Sequence, residues 1–134
     1  MQAEPRTPVR AVATIGAVSV GEKLTLRSVA AVLAEEELGV VLVRLPDGAV
    51  GVVSERDVVH ALADGADPDE VWAADIAATP VVIAELDEPI VDVCGRMVDE
   101  HVRHVAIVDR GEIVGVASAR DVLPILVEHA RTVP

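Results

Sequence analysis

Two four-residue stretches concentrate the side chains that could do chemistry, Ser54-Glu55-Arg56-Asp57 and Ser118-Ala119-Arg120-Asp121. Each offers a hydroxyl, a guanidinium and a carboxylate within about one helical turn. A serine that opens a helix stands where backbone N–H groups lack partners and favour an anion. An arginine in the first turn opposes the helix dipole. Its presence twice at the same unfavourable position points to a phosphate or carboxylate partner, with a surface salt bridge as the competing explanation. The aspartate has a structural reading as well. Ser-x-x-Asp is a capping box, in which the serine caps the helix and the acid returns a hydrogen bond. Capping alone stabilises a helix by about 1 kcal/mol. The two roles are compatible.

These stretches belong to a longer repeat. Gly51-Val52-Val53 precedes the first and Gly115-Val116-Ala117 the second, 64 residues on from Ser54 to Ser118. The same shift pairs Val18 with Val82, Val29 with Val93, Glu36 with Glu100, Val41 with Val105 and Val50 with Val114. An internal period fixes the architecture before any local reading is made.

Within the first period, Ala17 to Val20 predicts a short strand. From Thr25 a helix follows, with Leu26, Val29, Ala30 and Leu33 on one face and Gly39 as its C-terminal stop. Val40–Val43 and Ala49–Val53 read as a hairpin around Pro46-Asp47-Gly48. Ser54 opens a helix to about Asp64. Asp67 and Pro68 start a linker helix, about 68–74, that holds Trp72. The second period repeats the order. Thr79 to Ile83 is a strand, and a helix after Pro89 turns Ile90, Val93, Met97 and Val98 inward. A hairpin forms around Asp109-Arg110-Gly111, and Ser118 opens a last helix that Pro124, a few residues in, is expected to kink or delay. Residues 1–8 read as a flexible tail, 9–66 as the first repeat and 67–134 as the second. The expected fold class is α/β (α+β): two β-α-β-β-α repeats related by a pseudo-twofold axis and packed through their sheets, with the two Ser-x-Arg-Asp stretches on either side of a shared cleft.

An apolar strand, an Asp/Gly turn and Gly-x-x-Ser-x-x-Asp, twice in tandem, resemble a pair of cystathionine-β-synthase (CBS) domains, a Bateman module, over roughly residues 9–130. The resemblance implies a regulatory module that dimerises and binds an adenosine nucleotide (AMP, ADP or ATP) between the repeats. With no catalytic or transport domain in the sequence, a stand-alone CBS protein is expected. Asp57 and Asp121 match the family's ribose-binding aspartate, a carboxylate able to accept from two vicinal hydroxyls. Ser54 and Ser118 match its phosphate- or ribose-contacting Ser/Thr, and Arg56 and Arg120 accompany them. Arg103 and His104 stand where basic residues reach phosphates in the family; a solvated arginine and a packed histidine are the alternatives. The first repeat has Gly39 and Val40 there. Thr79-Pro80-Val81 resembles the adenine-contacting segment, whereas Ile15-Gly16-Ala17 is a poorer match. The favoured site is therefore Thr79, Val81, Ser118, Arg120 and Asp121.

Composition narrows the partners. A net charge of −12 disfavours phosphate backbones and anionic membranes. With Trp72 the only aromatic residue, there is no platform for stacking bases. The one cysteine, Cys94, aligns with Ala30 on a helix's core face and reads as a small buried hydrophobe. No apolar run reaches bilayer-spanning length and no signal peptide is read, so the chain is expected to be cytoplasmic. His101-x-x-His104 straddles a helix end without a third ligand nearby, so no metal site is expected. No nucleophile or acid–base pair emerges, and no cofactor is required; the chain is not expected to be an enzyme. The Val- and Ala-rich core implies a homodimer, acting on an unidentified regulated protein. The alternative is a ligand-free structural or protein-interaction CBS dimer.

Overall fold

The structure, a computed structural model, describes residues 3–16, 18–79 and 81–132. Met1 and Gln2 of the expected tail, Ala17 of the first strand, Pro80 of the adenine-contacting segment, and Val133 and Pro134 lie outside these residues. The chain forms a mixed α/β fold of two compact units, which do not coincide with the two sequence repeats.

One unit lies within residues 18–81. Its strands are β2 (Ser19–Gly21), β3 (Val40–Arg44) and β4 (Val50–Ser54), and its helices are α1 (Leu26–Glu35), α2 (Glu55–Ala63) and α3 (Ala73–Ile76). The sheet order is β2-β3-β4, with β2 parallel and β4 antiparallel to β3. Thr25 caps α1 by accepting from the Ser28 N–H at 3.2 Å. Leu26, Val29 and Leu33 turn inward against Val41, Val43 and Val53. After α3 the chain crosses β4, where Val52 and Ala78 exchange backbone hydrogen bonds of 3.1 and 2.9 Å.

The other unit joins residues 82–132 to the lead-in 3–16. It contains β1 (Thr14–Ile15), β5 (Ile83–Glu85), β6 (His104–Asp109), β7 (Glu112–Ser118), α4 (Ile90–Glu100) and α5 (Ala119–Thr132). The sheet order is β1-β7-β6-β5. Its core is Val9, Ile90, Val93, Met97, Val105, Ile107, Ala117 and Val122, with Cys94 beside them.

Several local expectations change. The lead-in of the first repeat packs on the second, because β1 runs antiparallel to β7 with Thr14 opposite Val116 and Ile15 opposite Gly115. Residues 3–8 are tied down rather than a free tail. The Val91 N–H donates to Pro5 and the Ile90 N–H to Thr7, both at 2.9 Å, so tail carbonyls satisfy orphan donors of α4. The left-handed residue after α1 is Glu37, not Gly39. The linker helix does not span 68–74. Asp67 instead accepts from Glu70 and Val71 in a turn, and Trp72 precedes α3, half-exposed, with Lys23 5.6 Å from its ring centre. Val98 points to solvent, 67% exposed, because the i, i+3, i+4, i+7 face of α4 is already Ile90, Val93, Cys94 and Met97.

Candidate functional site

Both Ser-x-Arg-Asp stretches form the same turn from strand to helix. At the end of β7, the Ser118 N–H donates to Asp121 Oδ2 at 2.8 Å, and the Asp121 N–H donates to Ser118 Oγ at 3.2 Å. At the end of β4 the corresponding distances, Ser54 to Asp57 and back, are 2.8 and 3.1 Å. The capping boxes expected from sequence are thus complete in both copies. Each aspartate is half-buried and engages Oδ2 alone in these bonds, which leaves Oδ1 as an acceptor. Arg56 and Arg120, one residue earlier in each helix, are exposed.

The neighbouring strand decides what stands beside each turn. His104 is opposite Ser118 in the β6–β7 register, and the Ala119 N–H donates to the Arg103 carbonyl at 2.8 Å. Arg103 and His104 therefore accompany Ser118, Arg120 and Asp121. At the other turn Val40 is opposite Ser54, and the Glu55 N–H donates to Gly39 at 3.0 Å. That turn has Arg56, but Gly39 and Val40 stand where the other turn has Arg103 and His104.

The crossing segments regroup the remaining candidates. Thr79 lies over β4: a Cβ on Gly51 would stand 2.9 Å from Thr79 Cγ2 and 2.9 Å from Ala77 Cβ. Thr79 thus lies over the strand that leads to Ser54, Arg56 and Asp57. Val81 follows it in the same unit. The segment over the Ser118 turn is Thr14–Gly16, with the Gly16 N–H donating to Val114 at 2.8 Å. Thr79 and Val81 lie in the unit that holds Ser54, Arg56 and Asp57, and Ser118, Arg120 and Asp121 lie in the other. Sequence reasoning missed Thr14–Gly16 as the neighbour of that turn. The available signal was the glycine three residues before each serine, where a second backbone comes close.

Among the described residues, no group of three or more His, Cys, Asp or Glu side chains is placed to hold a metal. No helix among them is long and apolar enough to cross a membrane.

With this geometry in hand, comparison with known proteins identifies the class. The family model of the CBS domain matches residues 9–64 and again 73–128. The chain belongs to the CBS-domain family and carries two such domains. It is 28% identical over 126 residues to hypoxic response protein 1 of Mycobacterium tuberculosis, covering 92% of this chain and 88% of that protein. Protein MK0525 of Methanopyrus kandleri is 36% identical over 88 residues, 64% of this chain. The match spans only 45% of the length of that relative. Among solved structures, the CBS domain protein PAE2072 of Pyrobaculum aerophilum, complexed with AMP, superposes with a TM-score of 0.77 at 32% identity, over 93% of this chain and 99% of that one.

Proposed function

We propose that this chain is a non-catalytic, cytoplasmic regulatory module that binds an adenosine nucleotide and acts, as a homodimer, on a protein partner. The observation that carries the reading is the AMP complex of a relative 32% identical over nearly its whole length, together with the two Ser-x-Arg-Asp turns. In each turn the free carboxylate oxygen suits a ribose hydroxyl, and the serine and arginine suit a phosphate. Ser118, Arg120, Asp121, Arg103 and His104 form the more cationic set and would take the phosphate-bearing ligand. Ser54, Arg56, Asp57, Thr79 and Val81 form the second set.

Thermal unfolding with AMP, ADP and ATP tests this. A ligand at one hundred times its Kd stabilises by about 2.7 kcal/mol. Asp121→Ala also breaks a capping box, at a cost of about 1 kcal/mol. Its ligand-induced shift must therefore be read against its own unliganded Tm. Arg103→Ala and Arg120→Ala leave the box intact and are expected to remove most of the AMP shift. The absence of any shift with millimolar nucleotide would overturn the reading. It would favour a ligand-free interaction dimer, a role consistent with capping boxes that are complete without a ligand.

A further inference from the structure

The start of the lead-in is a turn closed on itself. The Thr7 N–H donates to the Glu4 carbonyl at 3.0 Å, and the Glu4 N–H donates to Thr7 Oγ1 at 2.8 Å. Pro5 takes the second position, which its fixed φ favours. The bonds from the Ile90 and Val91 N–H groups pin this turn to the start of α4. Between the turn, α4 and α5 opens a pocket of about 400 Å³, lined by Glu4, Pro5, Arg6, Val91, Leu126 and His129. Sites for small molecules run from about 300 to 1,000 Å³. Leu126 and His129, three positions apart on α5, share the face that closes it. They lie about 12 and 16 Å along that helix from Ser118, so the pocket is separate from the Ser-x-Arg-Asp turn. Its floor is apolar, from Pro5, Val91 and Leu126, and its rim carries Arg6, His129 and Glu4. Arg10, Arg27 and Arg96 are each paired with an acid, whereas Arg6 makes no ion pair among the described residues, in a chain with 23 acids.

We propose that this pocket is a second ligand site, for a small carboxylic acid with an apolar body. The body lies on Pro5, Val91 and Leu126, and the carboxylate meets the Arg6 guanidinium, whose fork of N–H donors matches two carboxylate oxygens. His129 offers a further ring nitrogen across the rim. The rim sets the charge of the ligand. A neutral apolar molecule would leave Arg6 without a partner, and a dianion would bring a second negative charge against Glu4. A single carboxylate matches one guanidinium. Such a ligand bridges the lead-in turn and α5, so it ties the beginning of the described chain to its last helix. The site stands whether or not the Ser-x-Arg-Asp turns take a nucleotide.

The test is a titration of the intact chain with octanoate, without nucleotide and below the concentration at which octanoate forms micelles. Backbone amide shifts in nitrogen-15 NMR spectra are the readout. Saturable shifts are expected at Glu4, Arg6, Val91, Leu126 and His129. Octan-1-ol, which keeps the chain and lacks the charge, should bind about tenfold or more weakly, the loss expected for one charge-assisted hydrogen bond. Acetate, which keeps the charge and lacks the chain, should give no saturable shift. Arg6→Ala removes an exposed side chain and is expected to bring octanoate down to the affinity of octanol, with the affinity for octanol unchanged. Leu126→Ala should weaken both, and its Tm and circular dichroism establish that it is folded; if it is not, Arg6→Ala decides. Shifts that stay absent at these amides with millimolar octanoate would overturn the site. Equal binding of octanoate and octanol, or an Arg6→Ala variant that binds octanoate like wild type, would overturn the carboxylate assignment and with it the proposal.

Discussion

Gly51 and Gly115 show how one absent methyl group shapes this molecule. Neither has positive φ, so backbone freedom is not their purpose. Each makes room for a second chain segment. A Cβ on Gly115 would stand 2.4 Å from the Thr14 carbonyl oxygen, a backbone atom held in the β1–β7 pairing. At Gly51 it would meet the Ala77 and Thr79 side chains at 2.9 Å and the Ala78 carbonyl at 3.1 Å. Gly115→Ala is therefore expected to cost about 2–3 kcal/mol, and Gly51→Ala about 1–2 kcal/mol, by overpacking. Urea denaturation of the two variants checks both the sizes and their order. The glycine repeat was plain in the sequence. What it made room for was not, because the crossing segment comes from the other repeat at Gly115 and from after the linker at Gly51.

At the scale of elements, local signals read well where one turn contains both partners. The Ser54–Asp57 and Ser118–Asp121 boxes and the Thr25 cap are of this kind. Signals read poorly where a neighbour decides. Glu37 and His101 take the left-handed conformation after α1 and α4, a place more usual for glycine. A further link, between β5 and α4, was not visible in sequence. Arg96 is ion-paired with Glu88 and donates to the Ile83 carbonyl at 2.9 Å, while Glu88 accepts from the Glu85 N–H at 2.7 Å. The Arg96 hydrogen bonds hold the Glu88 carboxyl below its ordinary range. A folded-state pKa below the unfolded one adds stability that is complete above the unfolded value, about 4.3, and lost as pH falls through the folded one. Glu88→Gln is expected to cost on the order of 1 kcal/mol at pH 7, the pair being partly exposed. The gap between variant and wild type should close as the pH drops below about 4, measured by urea melts across pH 3–7.

At the scale of the whole molecule, the two CBS domains were legible because the repeat extends well beyond its motif. The way the chain is shared between the compact units was not, since a repeat in sequence says nothing about which unit a lead-in segment joins. The lead-in 3–16 completes the unit built from 82–132, contributing Val9 to its core and β1 to its sheet edge. A fragment spanning 82–134 is thus expected to lack cooperative unfolding, and a peptide of residues 1–17 added in trans should restore it. Far-UV circular dichroism would show this; a fragment that folds equally well alone would contradict it. The same pairing has a consequence for synthesis on the ribosome. Thr14 is made before its partner Val116, which emerges about one hundred residues later. At roughly 5–20 residues per second, the lead-in strand waits about 5–20 seconds before its sheet exists. During that interval the nascent chain carries Val9 and Ile15 without their final neighbours, which makes this lead-in a natural place for a chaperone to hold it.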